Sequence, residues 1–180
     1  MSYDVVLLIE QALSSADADR VRGLHQGLLD DGEQVVYHVV LPVEDAGAQV
    51  QAAMGSLSGD LGAGRPADLL SPEEVREIDA AAHERAGGDL RASLESLAEA
   101  GATAEGALTD AEPVTALVAK VSEVDAAEVI VLTAPHVVSE FFHVDWTSRA
   151  RRHLGVPVLH LLEHENFDEQ AGEGEGVSGF

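Results

Sequence analysis

The sequence predicts an α/β domain in which helices cover both faces of a five-stranded parallel sheet. Three observations carry that prediction. Strand-length apolar runs alternate with helix-length segments from the N-terminus to about residue 162. Val5 to Ile9 and Val129 to Leu132 are nearly unbroken apolar runs, the pattern of strands buried on both faces. Alternation over five strands also implies right-handed crossovers, which lay helices on either side of the sheet.

Taken in order, Val5 to Ile9 is the first strand. Ser14, Ser15 and Asp17 suit a helix start, Val21, Leu24 and Leu28 share one face, and Gly32 stops the helix. Val35 to Leu41 is the second strand, closed by Pro42. Between 44 and 70, Gly47, Gly55, Gly59, Gly62, Gly64 and Pro66 interrupt any period, so a mobile loop is expected there, with room for a short helix around Gln49 to Met54. Ser71-Pro72-Glu73-Glu74 is a strong helix start: Ser caps, Pro occupies the first turn and Glu reaches back. That helix carries Val75, Ile78 and Ala82, is expected to weaken at Gly87-Gly88, and resumes through Leu90, Leu94 and Leu97 to Gly101. Ala102 to Leu108 reads as a weak third strand. Asp110 then leads a helix through Val114, Leu117, Val118 and Val121. Val129 to Leu132 is the fourth strand. Ser139-Glu140 opens a helix bearing Phe142, Trp146 and Ala150, which Gly155 ends, and Val156 to Leu162 is the fifth strand. Residues 1–165 are thus expected to form one domain, and 166–180 an acidic disordered tail.

Composition narrows the function. The chain has 180 residues, enough for one sizeable core, and 46% of them are apolar. It has no cysteine, which excludes disulfides, thiolate zinc sites and thiol catalysis. No apolar run reaches the roughly 20 residues of a membrane helix, and the first strand is flanked by acids rather than preceded by a basic leader, so a soluble cytoplasmic protein is expected. The formal charge of −23 repels nucleic acid and anionic membranes. Lys120 is the only lysine; Arg149, Arg151 and Arg152 cluster, either as cations at a helix C-terminus or as a phosphate or partner patch.

In a parallel α/β sheet, ligands sit beyond the carboxyl ends of the strands where the strand order reverses. That rule points to Glu10–Ser14 and Thr133–His136, and so to Glu10, Gln11 and Ser14 with Thr133 and His136.

The order of elements becomes recognisable at this point. It comprises a short first strand with an acid at its end, a long loop after strand two, a capped long helix, and the strings AAEVIVLTAPHVV at 126–138 and GVPVLHL at 155–161. Residues 3–162 resemble the universal stress protein family of the adenine-nucleotide alpha-hydrolase-like superfold. The resemblance implies a three-layer, Rossmann-like fold with strand order 3-2-1-4-5 and a homodimer. Strand five would pair across the two-fold axis, with Val158, Leu159, His160 and Leu161 at the interface. Nucleotide-binding members carry Gly-x-x-Gly, nine residues, then Gly-Ser/Thr after strand four. In this chain that register falls on Thr133, His136, Trp146 and Thr147. The spacing and the final hydroxyl survive, but all three glycines are replaced, and Pro135 removes a backbone N–H from the loop. Where binding members place an aspartate after strand one, Glu10 stands here. The resemblance therefore implies the fold without the phosphate cradle, and no cofactor is expected.

Chemistry-bearing residues leave alternatives open. His136, Glu140 and His143 are spaced so that one helix face could hold a zinc or iron ion, with Asp145 nearby; if the helix starts only after Ser139, that face does not exist. Ser139 or Thr147 with His136 sketches a nucleophile and base, yet no G-x-S-x-G accompanies them. Trp146 is either core or a stacking surface for a planar ligand. A regulatory or interaction protein is the leading expectation. A binder of a small nucleoside-like ligand or AMP/ATP, and a metal-dependent or hydrolytic enzyme, are the alternatives.

Overall fold

A computed structural model describes residues 2–43, 71–133 and 154–162. Its elements are β1 (Ser2–Ile9), α1 (Ser15–Gly23), α2 (Gln26–Asp30), β2 (Gln34–Pro42), α3 (Pro72–Glu99), β3 (Thr103–Thr109), α4 (Pro113–Val124), β4 (Glu128–Thr133) and β5 (Val158–Leu162). The five strands form one sheet in the order β3-β2-β1-β4-β5, and every pairing is parallel. The predicted loop at 44–70, the helix from Ser139 and the acidic tail lie outside the described residues.

The unbroken apolar runs are explained by the two faces they serve. Val5, Leu7 and Ile9 join Tyr37, Val39, Ile130 and Leu132 beneath Val21 of α1 and Leu97 of α3. Val6 and Leu8 point the other way, with Val40, Val129 and Val131, under Leu117 and Val121 of α4. A strand with both faces covered has no solvent side, so its sequence does not alternate. Burying each such side chain contributes roughly 1.5–3 kcal/mol.

Four sequence expectations are corrected in detail. The helix expected from Ser14 to Gly32 is two helices, broken at Leu24-His25. There the His25 ring turns inward to bond Tyr37 and Glu128, which offsets the interrupted helical ladder. Gly87 and Gly88 do not interrupt α3, which runs unbroken for 28 residues. Two glycines cost about 1 kcal/mol each, against burial of Ala82, Ala86, Ser93 and Leu97 and a complete capping box at Ser71 and Glu74. Asp110 does not cap α4. Glu112 does, accepting from the Thr115 N–H at 3.1 Å, while Asp110 sits 2.8 Å from His83 Nε2 on α3. β5 begins at Val158 rather than Val156, after Pro157 has accepted the Val129 N–H through its carbonyl. Gly32 and Gly101 stop their helices at φ +82° and +79°, each followed by a six-to-one closing bond (Glu33 to Leu28, Ala102 to Leu97).

Candidate functional site

The segment after β1 is fixed by two serines of α3. Ser93 Oγ accepts the Leu13 N–H at 2.9 Å and donates to the Asp89 carbonyl at 2.7 Å. Ser96 Oγ donates to the Leu13 carbonyl at 3.1 Å. Leu13 itself is buried among the α1–α3 core residues. Both polar groups of one loop residue are therefore tied to a helix 80 residues away, and the preceding Glu10-Gln11 turn is held against α3.

Beside that turn lies a recess of about 200 Å³ at the carboxyl ends of β1 and β2. Glu10, Gln11, Leu41 and Pro42 form its sheet side, and Ala82, Arg85, Ala86 and Asp89 form its helix side. The small Ala82 and Ala86 open the space. Arg85, with Glu10 and Asp89, gives a wall of mixed charge that can meet a polar ligand from both signs. Glu10 and Gln11 line this recess, which lies between β1, β2 and α3 and not at the β1–β4 reversal that the switch-point rule names; Thr133 is not among its lining residues. Arg85 and Asp89 are additions that sequence reasoning missed. Their one signal is the i, i+4 spacing on a helix whose apolar stripe already faces the sheet.

The other expected site residues are placed differently. Ser14 caps α1: its hydroxyl accepts the Asp17 N–H at 3.1 Å and donates to the Asp17 carboxylate at 2.6 Å. Thr133 ends β4, is 1% exposed, and its hydroxyl lies 2.8 Å from His160 Nε2. Burial holds the half-buried His160 below the ordinary histidine value, so the neutral ring is favoured there. His136, Trp146 and Thr147, and the metal candidates Glu140 and His143, lie outside the described residues. Among the described residues no group of three or more metal-ligating side chains assembles. Of the expected interface strand, Val158 and Leu161 are buried in this chain's own core, and Leu159 and His160 are half-buried at the sheet edge.

Two further polar clusters occupy the amino-terminal half of the sheet, one on each face. On the α1–α3 face, His25 Nε2 lies 2.6 Å from a Glu128 carboxylate oxygen and its Nδ1 lies 2.7 Å from the Tyr37 hydroxyl. Burial, then the Glu128 charge, pushes the Tyr37 phenol well up, with Arg22 opposing. Tyr3, which donates to Glu128 at 3.4 Å, is raised by burial, then by the Glu128 charge and by that hydrogen bond. On the α4 face, His38 lies 2.8 Å from Asp4 and 2.8 Å from Glu105 through its two ring nitrogens. The His38 bond, then a bond from Ser2, holds the Asp4 carboxyl below the usual range.

Comparison with solved structures adds the family context. A universal stress protein family protein from Arabidopsis thaliana, solved with AMP bound, superposes over 92% of this chain and 94% of its own, at a TM-score of 0.51 and 12% identity. The chain has the universal stress protein fold. The hypothetical protein MJ0577 matches 92% of this chain and 100% of its own, at a TM-score of 0.56 and 13% identity. A universal stress protein from Archaeoglobus fulgidus matches 89% of this chain and 94% of its own at 0.49 and 17%. No protein-family model and no curated protein matches the sequence. At these identities the universal stress protein likeness is one of architecture. It accounts for the strand order. Among the described residues no helix is long and apolar enough to cross a membrane.

Proposed function

We propose that this chain is a regulatory or interaction protein of the universal stress protein type that does not hold ATP through a phosphate cradle. The observation that carries the proposal is the state of Thr133. This residue stands where the cradle's first glycine would be, and its buried hydroxyl is engaged by His160. An anion cradle needs bare backbone whose N–H groups converge on the phosphates, and the rest of the register supplies proline, histidine and tryptophan instead. Thermal denaturation with ATP, ADP and AMP tests this. The expected shift is under about 1 °C at millimolar ATP, because a ligand far below its Kd adds nothing to stability. A rise of several degrees at sub-millimolar ATP overturns the reading.

A second reading, a binder of a small nucleoside-like ligand, is favoured by the recess itself. Its roughly 200 Å³ is below the roughly 300–1,000 Å³ of pockets for drug-sized ligands, which suits a nucleoside or smaller polar molecule better than a triphosphate. The AMP held by the Arabidopsis protein gives the ligand class a precedent in this fold. Native mass spectrometry of freshly purified protein separates the readings: an adduct of nucleoside mass that is lost in Arg85→Ala supports binding in the recess, and a clean apo mass counts against it. A homodimer through β5 is part of the proposal, and sedimentation analysis at micromolar concentration tests it.

A further inference from the structure

The two buried histidines look alike, yet their partners differ in one chemical respect. Each has a carboxylate at Nε2. At Nδ1, His25 meets the Tyr37 hydroxyl, which can give or take a hydrogen bond and has the Val21 carbonyl 3.3 Å away as an alternative acceptor. A neutral His25 therefore keeps both bonds once the hydroxyl rotates. His38 has no such freedom. Asp4 and Glu105, its partners at 2.8 Å each, only accept hydrogen bonds when ionised. Glu105 is largely exposed to solvent, and the His38 bond holds the Asp4 carboxyl below the ordinary carboxyl range, which favours its ionised form. Two carboxylates on one ring are satisfied together only by the imidazolium, with an N–H on each nitrogen.

The strands involved give this requirement a mechanical consequence. Asp4 is in β1, His38 in β2 and Glu105 in β3, so one ring bonds three adjacent strands, the last of which is the sheet edge. We propose that His38 is a proton-dependent clamp: the imidazolium fastens the edge strand β3 to the sheet, and loss of one proton releases it. When the neutral ring keeps its bond to Asp4, its lone pair faces the Glu105 carboxylate, and that side of the clamp turns from attraction to repulsion. α4, which packs on the same face, contributes apolar Leu117 and Val121 there; its one lysine, Lys120, is paired to Glu123 at 2.8 Å. Asp4 and Glu105 are thus the described charged groups bonded to the ring. Acid also opens the clamp. The Asp4 contribution is present above its unfolded value and is lost as pH falls through its lowered folded value. Above that point the clamp is closed for as long as the ring carries an N–H on each nitrogen.

Hydrogen exchange tests this on the full chain. The amides of residues 103–107 are followed from about pH 5.5 to 9, corrected for intrinsic exchange and divided by the protection of β4. In the native protein the ratio is expected to fall at least about fivefold across histidine titration, the scale of one charge-assisted bond. Glu105→Gln should flatten this, because a side-chain amide, like a tyrosine hydroxyl, can donate to the neutral ring. Glu105 is exposed, so the variant is expected to fold. The exposed His83–Asp110 pair lies beyond the other end of β3 and is intact in both proteins, which separates its pH response from that of His38. Nitrogen-15 spectra of the His38 ring provide a second readout, with both nitrogens protonated at pH 6. A ratio independent of pH, an unchanged slope in Glu105→Gln, or a single-tautomer neutral ring at pH 6 each overturns the clamp.

Discussion

Ser93 shows how much one small side chain can decide. It is wholly buried, and its hydroxyl is used in both directions, accepting from Leu13 and donating to Asp89. Ser93→Ala removes little volume but leaves the Leu13 N–H without its partner inside the core. The expected cost is about 1–3 kcal/mol, read as a lowered midpoint in urea denaturation, together with faster exchange of the loop amides at 11–13. Unchanged stability would mean that the serine is incidental to the loop. Nothing in the local sequence marks Ser93, which sits in a helical pattern beside Leu94 and has a partner 80 positions away. Glu10 was different: an acid directly after an unbroken apolar run is conspicuous, and it does line the recess.

At the scale of elements, local signals held where the interaction was local. The Ser71 capping box was legible because both of its bonds span three residues, and both form, at 2.7 and 3.3 Å. β3 was weak in sequence because Thr103, Glu105 and Gly106 lack the apolar continuity of a buried strand. It forms because β2 offers it a register from Val36 to Pro42. Gly106 is needed for a specific contact. A Cβ there would lie 2.7 Å from Leu90 Cδ1 and 3.2 Å from both the Val39 side chain and its carbonyl oxygen. Leu90 can shift, but the Val39 backbone is fixed by the sheet. Gly106→Ala is therefore expected to destabilise by about 1–3 kcal/mol through overpacking, with the loss of protection concentrated in β3 by hydrogen exchange. A neutral or stabilising result would show that the helix–sheet contact has slack.

Across the whole molecule, charge is the dominant unbalanced quantity. A formal −23 on 180 residues makes the folded state repel itself, and added salt screens that repulsion. The melting temperature is expected to rise by a few degrees, on the order of 3–8 °C, between about 20 and 300 mM sodium chloride; a flat or falling response would mean that local ion pairs outweigh the net field. By itself, the sequence determined that five buried strands alternate with helices, because burial on both faces writes itself into each strand as an unbroken apolar run. It also determined that no cysteine chemistry is open to this chain, since that depends on residue identity alone. Only the tertiary structure decided that Arg85 and Asp89 face Glu10, that Thr133 is engaged by His160, and that His25 and His38 are gripped from neighbouring strands. The hydrogen-bonded partners of Thr133, His25 and His38 lie 12 to 103 residues away in sequence, and a polar contact made across the fold leaves no periodic trace along the chain.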